Sequence, residues 1–184
     1  WGEDLRRRVV AIASETWSGA ALPVQHAAAL AYSDHPELGA YIARCSGVHA
    51  AMVGYLRQAL LDLGVESPSP DGGFYLYPSF ERWRAPLAAA GVRTSEDLVR
   101  FLLEEARIAA LPGTAFGSPP EELVIRVATS YVDADTDERA QALLDAFDPA
   151  QDPRAFVERN CPNLLAACAA LGRLADRLGA PGKE

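Results

Sequence analysis

Lysine is almost missing from this 184-residue chain: of its 17 basic residues, only Lys183 is not arginine. It sits in the tail after Gly179-Ala180-Pro181-Gly182, where no regular element would hold an amine in place. Cysteine is scarce too. Cys45, Cys161 and Cys168 form no CxxC pair and are odd in number, which excludes a disulfide framework and fits reduced thiols packed as small core residues. The three histidines, His26, His35 and His49, lack metal-ligand spacing, and no metal site is expected. No run of about 18 apolar residues is present. The opening Trp1-Gly2-Glu3-Asp4 is unlike a signal peptide, so membrane insertion and export are unsupported and a cytoplasmic location is expected.

Positive charge is outweighed. A net charge of -8 and a pI near 4.9 oppose nucleic-acid binding. The run Arg6-Arg7-Arg8 reads as the solvated face of a helix. What is present in quantity is apolar: 49% of residues are hydrophobic, enough for one sizeable core or two modest lobes. Trp1 stands where an initiator methionine would, and a helical pattern begins at once, so the chain is expected to be cut from a longer one.

Helical periodicity places Leu5, Val9, Ile12 and Ala13 on one side of a helix over residues 3–15. Ser18-Gly19 breaks it, Pro23 opens a second helix to about Tyr32, and the alanines of that helix predict close packing. Residues 36–63 read as one long helix closed by Gly64, about 40 Å at 1.5 Å per residue and long enough to bridge two lobes. Pro68 to Gly73 is turn chemistry leading to a strand, Phe74-Tyr75-Leu76-Tyr77, with Tyr75 and Tyr77 read as sheet and core residues. Thr94 with Asp97 three residues on predicts a capped helix with Val99, Leu102, Leu103 and Ala106 as its apolar stripe.

Residues 108–111 and 123–128 read as strands, and residues 135–147 as a helix covering them, which makes the middle of the chain an α+β lobe. Past Pro149 one further helical segment carries Leu164, Cys168, Leu171, Ala175 and Leu178, expected to pack on the lobe or on a partner. The second strand contains an oddity, Arg126 in the run Leu123-Val124-Ile125-Arg126-Val127-Ala128. Strand alternation buries at least one face of such a run, and a buried guanidinium demands an anion. That anion is either one of the chain's own carboxylates or a ligand. The preceding Pro112-Gly113-Thr114-Ala115-Phe116-Gly117 is a tight turn, with Gly113 and Phe116 as a turn residue and a candidate pocket wall.

In order, Gly72-Gly73-Phe74-Tyr75, the helix from Thr94 through Leu102-Leu103-Glu104-Glu105-Ala106, Pro112 to Gly117, and Ile125-Arg126-Val127 resemble the C-terminal portion of class I/II, fold-type-I pyridoxal-phosphate aminotransferases. Residues Glu15 to Ser18 and Ala21 to Ala28 resemble the family segment after the cofactor region, so the likeness covers residues 1 to about 147. It implies an α+β / α/β fold: residues 1–35 as the incomplete end of the large domain, 36–63 as the bridging helix, 64–148 as the small C-terminal domain, and 149–184 as an extra helical segment and tail. It implies transfer of an amino group between an amino acid and a 2-oxo acid, in a homodimer when complete. Arg126 would grip the substrate α-carboxylate through two parallel hydrogen bonds.

The family's pyridoxal phosphate is held by a lysine as a Schiff base. That role does not transfer to Lys183, so no catalytic residue is expected here, and this chain alone is expected to be inactive. A noncatalytic aminotransferase-like domain of a transcription regulator would share these C-terminal motifs and is the alternative.

Overall fold

The computed structural model describes residues 2–182, so Trp1 and Lys183 lie outside the described residues. The chain divides into two compact units, 1–40 and 41–184.

The first unit holds α1 (Glu3–Thr16), α2 (Leu22–Ala31) and the beginning of α3 (Pro36–Asp62). Arg6 pairs with Glu3 and Arg8 with Asp4 across exposed helical turns, as expected for a solvated face. The alanine-rich α2 departs from expectation: neither α1 nor α2 has a buried residue. Leu5, Val10, Ile12, Leu22 and Leu30 are all exposed. Some forty residues in short helices have too little surface to bury one another into a core.

The second unit has a single core. From α3 it takes Val48, Met52, Leu56 and Leu60, spaced by four and therefore on one helical stripe. Gly64 ends the helix at φ 75°, as its position predicted. The strands are β1 (Tyr75–Leu76), β2 (Leu111–Pro112) and β3 (Ile125–Ala128), antiparallel in the order β1-β3-β2. Between β1 and β2 come α4 (Arg84–Ala89) and α5 (Ser95–Ala106). Helix α5 carries the predicted capping box: Asp97 N–H donates to Thr94 Oγ1 at 3.1 Å, and Thr94 N–H donates to Asp97 Oδ2 at 3.2 Å.

After β3 follow α6 (Asp137–Ala146), α7 (Pro153–Asn160) and α8 (Pro162–Leu178). The segment past Pro149 is thus two helices, each begun by a proline whose missing N–H has no helical partner at that position. It supplies the core with Phe156, Val157, Leu164, Leu171 and Leu174. Asp133, whose side chain is fully buried, accepts from the N–H groups of Asn163 and Leu164 at 2.9 Å each, so it ties the first turn of α8 to the loop after β3.

Candidate functional site

Register decides which way Arg126 looks. Leu111 pairs with Arg126 and Pro112 with Ile125, while Tyr75 pairs with Ala128 and Leu76 with Val127. Residues opposite one another share a face and alternate along each strand. Leu76 and Ile125, 3% and 1% exposed, therefore lie on the core face; Tyr75 and Leu111, 43% and 44% exposed, lie with Arg126 on the other. This corrects two expectations. Arg126 is half-buried on the open side of the sheet rather than sealed in it, and Tyr75 is its neighbour rather than a core residue.

Arg126 is enclosed by rings instead of carboxylates. Its Cζ is 4.3 Å from the centroid of Tyr75 and 4.5 Å from that of Phe116, within the range of cation–π attraction. Among the described residues no carboxylate forms an ion pair with it. The internal ion pair that would have explained an arginine in this strand is absent among the described residues. Phe116, 45% exposed, is one of the two rings against the guanidinium.

The turn that carries Phe116 is built from close contacts. Gly113 N–H donates to Val124 O at 2.9 Å, and a Cβ at Gly113 would stand 2.5 Å from Val124 Cγ2 and 3.0 Å from the Tyr77 hydroxyl. Gly117 closes the turn at φ 89°. The Tyr77 hydroxyl donates to Gly113 O at 3.3 Å and lies 3.0 Å from Ser118 Oγ, while its ring meets Phe116 edge-on at 6.0 Å. Tyr77 is therefore a strut of the turn. The signal for Tyr75 and Tyr77 was their shared parity in the strand, which needed the register with Arg126 to become meaningful.

On the far side of Tyr75 the ring contacts continue to Phe74, at 4.4 Å, and from Phe74 to His49 of α3, at 5.2 Å. Burial lowers the pKa of His49. Two cavities of the second unit lie elsewhere. One of about 470 Å³ is lined by Tyr55 and Arg154, and one of about 310 Å³ lies behind β3, lined by Ile125, Val127 and Leu171. Arg126 lines neither, and its face is open.

The described residues do not fit pyridoxal phosphate, because they include no lysine to hold it. No His, Cys, Asp or Glu cluster among them suits a metal ion, and no described helix is long and apolar enough to cross a membrane.

The architecture is one already seen in solved enzymes. An aromatic aminotransferase from Pyrococcus horikoshii OT3 has a similar fold over 93% of this chain and 36% of its own, with a TM-score of 0.60 at 20% identity. That share is larger than residues 1–148 alone could supply, so the likeness in fold reaches into the helices after Pro149. Residues 3–143 match the aminotransferase class I and II family, and the chain belongs to it. It is 31% identical over 129 residues to an aspartate aminotransferase of Geobacillus stearothermophilus, covering 70% of this chain and 31% of that protein. Identity is 28% over 133 residues to the aspartate aminotransferase of Bacillus subtilis strain 168, with the same coverage of each. The chain thus spans about a third of the length of these relatives. Their names are those of enzymes, which lends the regulator alternative no support.

Proposed function

We propose that this chain is the C-terminal part of an amino-acid aminotransferase and that Arg126 receives the substrate's α-carboxylate. The observation that carries this reading is a guanidinium on the open face of the sheet, touched by two rings and paired with no carboxylate among the described residues. A planar fork of N–H donors matches a carboxylate through two parallel bonds. Holding that group orients the Cα–H bond, which turns proton removal into a positioned, effectively unimolecular step.

The remaining parts of the reaction belong to the complete protein. These are pyridoxal phosphate, the lysine that binds it and a second subunit, in a cytoplasmic homodimer. Residues 1–35 then end the large domain, 36–63 bridge to the small domain at 64–148, and 149–184 close that domain's core. The chain alone has no catalytic residue and is inactive.

Kinetics of the complete enzyme test the assignment. Arg126→Ala is expected to lower kcat/KM by about 10- to 100-fold, the loss of a charge-assisted contact of roughly 1.5–3 kcal/mol. An unchanged kcat/KM for amino acid and 2-oxo acid alike would remove Arg126 from the site.

A further inference from the structure

The turn at 113–118 is anchored from outside the sheet. The Thr114 hydroxyl donates to Oε1 of Glu96, in the first turn of α5. Thr114 and Phe116 share the short 3-10 turn Gly113–Phe116, so a fixed Thr114 side chain restricts where the Phe116 ring can go. Tyr77 limits it from the opposite flank, with its hydroxyl on Gly113 O and its ring edge-on to Phe116. The bond from Thr114 is also the largest cause holding the Glu96 carboxyl below the usual carboxylate range. No ion pair joins Glu96 to Arg126, and the contacts between them run through the turn.

A guanidinium binds a carboxylate well only when its plane is set, because the two N–H donors must point along parallel lines. Rings packed on Arg126 restrict rotation of that plane and leave its N–H edges to meet an anion. We propose that Glu96 is a positioning residue for the substrate carboxylate: by holding Thr114 it fixes Phe116 against Arg126 and sets the plane of the guanidinium. This rests on the function proposed for Arg126.

Nuclear magnetic resonance of the full ¹⁵N-labelled chain tests it, with the Arg126 Nε–H resonance as reporter and succinate as probe. Stacked rings displace that resonance. Thr114→Val, which removes the hydroxyl and keeps the volume, is expected to move it toward the position of an unstacked arginine and to weaken succinate binding about tenfold. Glu96→Ala removes the same bond from the other side and is expected to do likewise, which keeps the test valid should one variant fail to fold. Glu96→Gln retains an accepting carbonyl and is expected to restore both readouts.

Two results would overturn the proposal: an unmoved resonance with unchanged affinity, or weakened succinate binding with the resonance unmoved, since the second would be an effect of charge alone. Arg126→Ala separates the underlying reading. If succinate binds that variant as well as the parent, Arg126 is no carboxylate receptor, whereas the unliganded resonance still reports whether Glu96 sets the stack.

Discussion

The guanidinium carbon of Arg126 lies 4.5 Å from the ring centroid of Phe116, two side chains brought together by an antiparallel pair and a tight turn. A lysine at position 126 would keep the charge but lose the planar fork and the flat surface that stacks on rings. Arg126→Lys is therefore expected to weaken succinate binding nearly as much as Arg126→Ala, about tenfold or more by isothermal titration. Recovery of most of the affinity by lysine would mean that charge alone recruits the anion.

Gly113 is predicted to tolerate no side chain. A methyl group there would strike Val124 and the Tyr77 hydroxyl, and neither the strand nor the strut can withdraw without breaking the turn. Gly113→Ala is expected to destabilise the fold by roughly 1–3 kcal/mol in urea unfolding. It should also shift the Arg126 Nε–H resonance, because the same turn carries Phe116.

Asp133 holds two N–H groups at the start of α8 and has no solvent to replace them. Asp133→Ala is expected to cost roughly 1–3 kcal/mol by leaving those donors without their acceptor. Chemical denaturation measures it, and a loss below the error of the fit would show that α8 is held by packing alone.

Thiol chemistry should separate the cysteines. Burial pushes the Cys161 thiol up to about 12 and that of Cys168 up to about 11, so neither forms much of the reactive thiolate near neutral pH. Brief iodoacetamide treatment followed by peptide mass mapping is expected to find label on Cys45 and none on the other two. Urea should expose all three.

His49 gives a pH dependence of definite sign. Burial lowers its folded-state pKa below the ordinary value near 6.5, so the unfolded chain binds the proton first. Its contribution is complete above about pH 6.5 and is lost as pH falls through the folded pKa. Thermal melts should show His49→Phe with a shallower decline just below pH 6.5 than the parent. Parallel profiles would assign that decline to other groups.

Titration of the chain with pyridoxal phosphate is expected to give no saturable visible absorbance band from bound cofactor, because the described residues include no lysine. A saturable band abolished by Lys183→Ala would reverse this.

Local rules carried the sequence reading a long way. Thr94 with Asp97 announced α5, Gly64 announced the end of α3, and the chemistry of Pro112 to Gly117 announced a turn, because each is decided by neighbours a few residues apart. Relations across the sheet were not legible. Whether Tyr75 faces the core or Arg126 depends on a one-residue choice of register, which the 48 residues between β1 and β3 conceal. Glu96 and Thr114 meet only once α5 has packed on β2. The short helix α4 lacked a clear apolar period, and the break at Cys161-Pro162 was hidden inside an otherwise continuous helical pattern.

Strand β3 is a shared component. Ile125 and Val127 fill the interior while Arg126, between them, faces outward, so a change that repacks the interior also re-aims the guanidinium. Natural variation at Ile125 and Val127 should therefore be narrower than burial alone demands. Selection for altered anion binding at Arg126 is therefore expected to yield mutations on the interior side of the sheet as well as beside the guanidinium.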